Sequence, residues 1–218
     1  MDKLSGEAGE MGSKGIGPKP DLLPPYKLRM IDELPVIETE RLIMMIAMAD
    51  QVPKIVRYLR RNRAHLAPWE PQRDNAYFTD ASWIGAPERD QNEARMKEAY
   101  RFRLFLKGGD SEFIGTISIR DITFWPGHHA TLGYSLDHAF EGQGLMREGV
   151  KAVIRFGFEH LNLRRIEACY MPANLRSERL LTALGFQPEG LLRSSMEVNG
   201  VWEDHKICSL INYNWTRS

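Results

Sequence analysis

The stretch from Gly144 to His160 limits what this chain can fold into more than any other. Leu145, Val150, Val153, Ile154 and Phe158, with Leu161 just beyond, recur at helical spacing. Arg147, Glu148, Lys151, Arg155 and Glu159 mark the opposite face. A helix with one apolar face must bury it against another layer. The runs on either side supply that layer. Thr131–Leu136 precedes the helix, and Arg165–Met171 follows it, with Ile166, Ala168 and Tyr170 alternating against Glu167, Cys169 and Met171. Alternation over that length is the signature of a strand, so the helix is expected to lie on a sheet.

The remaining elements extend the same plan. Arg41–Met48 is a continuous apolar run of strand length. Residues 49–66 predict a helix with Val52, Ile55, Val56 and Leu59 on one face and Asp50 as its N-cap. Residues 79–98 predict a second helix, broken near Gly85 and Pro87. Strands follow at 101–106 and 113–119, turned by Gly108, Gly109 and Asp110. A short helix from about Asn174 to Leu184 stops at Gly185. Two last strands, about 191–198 and 201–213, are joined by Asn199-Gly200, a pair that accepts the positive φ of a tight primed turn. The order predicts an α/β (α+β) fold around one mixed sheet.

Residues 1–35 differ from the rest. Five glycines between Gly6 and Gly17, and Pro18, Pro20, Pro24 and Pro25, interrupt any regular element. This segment is expected to be a flexible arm, with one domain over 36–218. The chain of 218 residues has room for a single sizeable core. Its 29 Lys and Arg balance 29 Asp and Glu, so no global pull toward nucleic acid or a membrane is implied. No apolar run approaches the roughly 20 residues of a membrane helix, and no signal peptide is evident, which places the expected protein in the cytoplasm with no membrane partner. Cys169 and Cys208, each within a strand-like run, read as buried free thiols.

Three places carry polar chemistry. In Glu141-Gly142-Gln143-Gly144-Leu145-Met146-Arg147, two glycines allow the backbone to come close to a ligand, and the helix that follows presents unpaired N–H groups and a positive dipole end. Such a loop suits a phosphate or pyrophosphate, though a glycine pair before a helix is more often loop geometry alone. It is neither a Walker loop nor a dinucleotide fingerprint. In Pro172-Ala173-Asn174-Leu175-Arg176-Ser177, Asn174 reads either as an N-cap or as a ligand contact, and the pattern alone favours the cap. Ser177 has a hydroxyl able to protonate a leaving thiolate. Around the last turn, Glu197, Glu203, Asp204 and His205 are proton carriers or solvated hairpin charges. His128 and His129 lack acids or cysteines at ligand spacing, and no metal is assigned.

Taken in order, these pieces resemble the GNAT superfamily of N-acetyltransferases, and within it the RimJ/RimL group. The resemblance spans roughly Leu34 to Trp215. Its carriers are Thr39-Glu40-Arg41-Leu42, the run Asn62-Arg63-Ala64-His65-Leu66-Ala67-Pro68-Trp69-Glu70-Pro71, Leu132-Gly133-Tyr134-Ser135-Leu136, the Gly142–Arg147 loop, Tyr170-Met171-Pro172-Ala173-Asn174, Leu184-Gly185-Phe186 and Asn199-Gly200 with Asp204-His205. The resemblance implies a GNAT fold whose sheet splays at an acetyl-coenzyme A site. It assigns that cosubstrate to Leu136, Gly142, Gln143, Gly144, Leu145, Met146, Arg147, Asn174 and Ser177. Ser177 becomes the acid for the departing thiolate, and Glu197 a base whose register slips by one residue toward Met196. Trp69 and Glu70 are expected at the acceptor mouth. One position departs from the superfamily motif: Ala139 stands where Gln or Arg begins it, which RimJ-like members tolerate.

The activity implied is direct acetyl transfer in a ternary complex to the N-terminal alanine or serine of a ribosomal protein. Contact with a ribosome or pre-ribosome and a homodimer are among the partners such a group admits. Rival readings are an acetyltransferase for a small amine, an antibiotic or a lysine, and a non-catalytic acyl-coenzyme A sensor or ribosome-assembly factor.

Overall fold

The computed structural model describes residues 25–109 and 112–217. Nine strands form one sheet in the order β1-β2-β3-β4-β5-β6-β7-β9-β8. They are β1 (Lys27–Ile31), β2 (Leu34–Glu38), β3 (Leu42–Ile46), β4 (Tyr100–Leu106), β5 (Phe113–Thr123), β6 (His129–Leu136), β7 (Arg165–Tyr170), β8 (Gln187–Val198) and β9 (Val201–Ile211). Every neighbouring pair is antiparallel except β6 and β7, which run parallel. The helices are α1 (Val52–Arg61), α2 (Arg63–Leu66), α3 (Ala86–Arg95), α4 (Leu145–Glu159) and α5 (Leu175–Ala183).

The glycine-bounded helix behaves as its pattern requires. Val150, Val153, Ile154 and Phe156 of α4 are buried in one cluster with Met44, Ile117 and Ile119 of the sheet. Gly149 allows the close approach, since a Cβ there would lie 2.7 Å from Cδ1 of Ile117. On the other face, Ile55, Tyr58 and Leu59 of α1 pack against Phe105 and Phe113. The sheet thus has helices on both sides, and the expected mixed α/β layout is present.

Four expectations change. The arm was drawn to residue 35, yet β1 and β2 form a hairpin over residues 27–38, paired from Lys27 with Glu38 to Ile31 with Leu34. Asp32 and Glu33 make its turn at positive φ, where no glycine or asparagine marks it. The rest of the expected arm, residues 1–24, lies outside the described residues. Asp50 does not cap α1. A 3-10 turn over Ala49–Gln51 comes first, and the Gln51 side chain accepts from the Met48 amide. The helix expected to reach Leu66 is interrupted at Asn62, which is 1% exposed; its Nδ2 donates to the Tyr58 carbonyl and its Oδ1 accepts from the His138 amide. Cys208 is buried, with its thiol pushed up to about 12 chiefly by burial, but Cys169 points to the other face of β7 and is only partly covered. Both cysteines are free.

The sheet is discontinuous at one place. β6 and β7 pair through only three residue couples, His129 with Arg165, Ala130 with Ile166 and Thr131 with Glu167. Beyond Thr131 the two strands diverge, while β6 stays paired to β5 as far as Leu136 with Gly115. A side chain at Gly115 would lie 2.5 Å from the Ser135 carbonyl, so the absence of a Cβ keeps that side closed. The edge of β6 from Leu132 to Leu136 therefore faces a wedge with no strand in it.

Candidate active site: a cleft at the splayed strands

A cleft of about 880 Å³ fills the wedge and opens past the glycine loop. One wall is the end of β6 (Tyr134, Ser135, Leu136) and the loop through Gly142 and Gly144 into α4. A second wall is the start of α5, with Asn174, Ser177 and Leu180. The third is α2 and its extension, with His65, Leu66, Trp69 and Glu70.

Gly142 and Gly144 both have φ of +74°, a conformation that side chains with a Cβ adopt at a cost. Gly144 is the N-cap of α4 and has no side chain to close the helix end, so the first amides of α4 remain available to a ligand. Arg147, Arg176 and Arg179 line the same cleft and supply positive charge. Leu136, Phe140, Leu145 and Met146 supply apolar surface. This combination suits a long ligand that is anionic at one end and apolar along its length.

A clamp unseen in the sequence holds the loop. The Arg41 guanidinium donates to the Gln143 carbonyl (2.9 Å) and to Glu148 (2.6 Å). Glu148 also accepts from the Arg41 amide (2.8 Å) and the Thr39 hydroxyl (2.6 Å). Burial would raise the Glu148 carboxyl, but these bonds outweigh it and hold the group below its usual range. A carboxyl lowered in the folded state contributes stability above its unfolded pKa of about 4.3 and loses it as pH falls toward the folded value. Glu148→Gln is therefore expected to cost roughly 1–3 kcal/mol in denaturant unfolding near neutral pH. The difference from the parent chain should shrink below about pH 4. An equal cost at both pH values would mean that charge has no part in the clamp.

On the α5 side, the Ser177 amide donates to the Asn174 side chain (3.1 Å). The cap reading of Asn174 is thus realised, although the residue also lines the cleft. The Ser177 and Tyr134 hydroxyls lie 2.6 Å apart and bridge the wedge. Burial raises the Tyr134 phenol well above its ordinary value, so it holds its proton at neutral pH.

Of the residues singled out in the sequence, Leu136, Gly142, Gly144, Leu145, Met146, Arg147, Asn174, Ser177, Trp69 and Glu70 all meet at this cleft. Gln143 does not line it; its carbonyl is held by Arg41 and its amide turns back to the Ala139 carbonyl. Glu197 is not brought in either. It lies exposed on β8 opposite Trp202. Burial raises the Glu70 carboxyl, with Arg73 acting against the shift. The Glu70 carbonyl takes the Asn199 amide (3.1 Å), which ties the β8–β9 turn to this wall.

The model for the acetyltransferase (GNAT) domain matches residues 41–187. The chain belongs to the GNAT acetyltransferase family. It is 32% identical over 180 residues to the [ribosomal protein uS5]-alanine N-acetyltransferase of Escherichia coli, a match covering 83% of this chain and 92% of that protein. It is 41% identical over 151 residues to the probable N-acetyltransferase YjcK of Bacillus subtilis, covering 69% and 83%. Among solved structures, the ribosomal-protein-S5-alanine acetyltransferase of Vibrio fischeri superposes with a TM-score of 0.79 at 37% identity, covering 84% of this chain and 99% of that one. RimJ of Mycobacterium smegmatis, in complex with CoA-disulfide, superposes at 0.75 with 26% identity, covering 88% and 90%. This GNAT acetyltransferase takes its acetyl group from acetyl-coenzyme A, and the charged, apolar-walled cleft fits such a donor. Among the described residues, no helix is long and apolar enough to cross a membrane.

Sequence reasoning missed Tyr134, although it shares a strand face with Leu136. It also missed the meeting of His65, His138 and Glu141 on the cleft rim. Nothing in their spacing along the chain announces that cluster.

Proposed function

We propose that this acetyltransferase modifies the α-amine of a protein that begins with a small residue, alanine or serine, and that the acceptor is a ribosomal protein met at the ribosome or pre-ribosome in the cytoplasm. The observation that carries this reading is Glu70, a half-buried acidic residue that lines the cleft beside Trp69, across from the glycine loop's residues. An extended N-terminus needs such an open groove, with a carboxylate to receive its ammonium. The names of the relatives support the acceptor class.

In this reading Gly142, Gly144 and the first amides of α4 hold the pyrophosphate, with Arg147 adding charge. The free edge of β6 pairs with the pantetheine arm, and one of its N–H groups stabilises the developing oxyanion. Asn174 and Leu136 bound the same arm. Trp69 walls the acceptor, and Glu70 orients its ammonium and takes its proton. An α-amine of pKa about 7.7–8.0 gives that proton up readily. Glu70 replaces Glu197 as the base because Glu197 does not reach the cleft. The nitrogen then attacks the thioester carbonyl, the C–S bond breaks, the Tyr134–Ser177 hydroxyl pair protonates the departing sulfur, and the second proton shed by the nitrogen returns to that pair through solvent.

An acceptor panel tests the reading. Ala- and Ser-initial peptides from ribosomal proteins should be acetylated, and aminoglycosides, polyamines and internal lysines should be left alone. With Glu70→Gln, kcat/KM for the peptide is expected to fall about 100-fold or more, with coenzyme affinity unchanged. If every such peptide is refused while a small amine is acetylated, the acceptor assignment is wrong.

A further inference from the structure

Three side chains on the rim of the cleft have no role in the acetyl transfer proposed above. His65 comes from α2, and His138 and Glu141 from the turn between β6 and Gly142. His65 Nε2 lies 3.3 Å from Glu141 Oε1, and His138 Nδ1 lies 3.3 Å from Glu141 Oε2. The three ligand atoms all fall within 4.8 Å of one another. The two imidazole rings are tilted at 50° with centroids 4.9 Å apart, so the histidines converge on the carboxylate rather than stack with each other.

We propose that His65, His138 and Glu141 form a binding site for a divalent transition metal, zinc being the ion that fits best. A tetrahedral zinc with Zn–N and Zn–O bonds of about 2.0–2.1 Å places its ligand atoms roughly 3.3 Å apart. Each imidazole nitrogen already stands that far from a Glu141 oxygen, His65 from Oε1 and His138 from Oε2, so a small turn of the carboxylate brings one oxygen between them. The set closes by a swing of His138, whose side chain is 70% exposed and free to move. Two imidazole nitrogens select zinc, nickel or copper over magnesium or calcium. Two histidines and one carboxylate leave a fourth position open, as in zinc sites that bind water or a ligand oxygen. That position is on the cleft rim, since all three residues line the cleft. The ion would also tie α2, on the acceptor wall, to the turn directly ahead of the coenzyme loop.

One neighbour competes with the metal. The Arg176 guanidinium is ion-paired to Glu141 Oε2, the same oxygen that faces His138. Arg176 is 69% exposed and stands at the start of α5, so its removal leaves the fold intact and frees the carboxylate.

The test is calorimetric titration of zinc chloride into the metal-free full chain, made without a histidine tag. One zinc per chain is expected. His65→Ala and His138→Ala should each weaken it at least about tenfold, and the double variant should abolish it. Arg176→Ala should tighten binding, an outcome that a merely structural role for the cluster would not produce. The proposal is overturned if no zinc binds, or if binding persists undiminished in the double variant while its melting curve shows a folded protein. Unchanged affinity in Arg176→Ala would remove Glu141 Oε2 from the ligand set.

Discussion

Gly144→Val is expected to lose acetyl-coenzyme A while keeping its fold. The two halves of that result have separate causes. Around Gly144 the protein leaves room, because the nearest atom to an added Cβ is Arg41 Nη2 at 3.6 Å, an ordinary contact. The backbone does not, because φ is +74° and a β-branched residue there is strained by about 1–3 kcal/mol. The loop can relieve that strain only by rotating its amides away from where the proposed site would hold the pyrophosphate. Space next to the backbone that the ligand would occupy is also filled. Calorimetry should show affinity reduced at least about 100-fold, equivalent to roughly 2.7 kcal/mol. The melting temperature should fall by about 2–12 °C, with a single cooperative transition retained. Unchanged affinity in a folded variant would place the coenzyme elsewhere.

The second large effect is at the hydroxyl bridge. Tyr134→Phe is expected to lower kcat by about 100- to 10,000-fold with little change in KM for acetyl-coenzyme A. The reason is the 2.6 Å contact with Ser177, which sets two hydroxyl protons in the cleft where the proposed reaction releases its thiolate; burial raises the phenol, so it still holds its proton at neutral pH. Ser177→Ala should cost less, because Tyr134 can still donate. The double variant should be no slower than Tyr134→Phe, since the pair delivers one proton. Additive losses in the double variant would mean two independent roles, and full activity in Tyr134→Phe would leave Ser177 as the acid by itself.

Several parts of this molecule are legible from residue order. The helix over residues 145–159, the Asn199-Gly200 hairpin and the strand–loop–helix unit each depend on local chemistry: periodicity, positive φ and a missing Cβ. The glycine loop was readable for the same reason. The Arg41–Glu148 clamp and the meeting of His65 with His138 and Glu141 were not, because they join segments far apart in the chain that only the finished sheet brings together. Glu197 misled because a carboxylate on a hairpin looks alike whether it faces a cleft or water; its partner across the strand, Trp202, is 61% exposed. The hairpin over residues 27–38 was hidden by the prolines and glycines just before it and by an Asp32-Glu33 turn with no turn-forming signature. The hydroxyl of Tyr134 is not legible as a functional group in the sequence, since a tyrosine in a strand more often packs than reacts.

The three residue couples between β6 and β7 have a consequence beyond catalysis. Among the described residues they are the only strand ladder joining the first six strands to the last three. A ligand that lies along the open edge of β6 acts as the missing length of that seam, so part of its binding free energy becomes folding free energy. At a hundred times its dissociation constant it would add about 2.7 kcal/mol to the folded state. A coenzyme seated along that edge, acetylated or free, would make the resistance of this enzyme to unfolding and proteolysis rise with the coenzyme concentration around it.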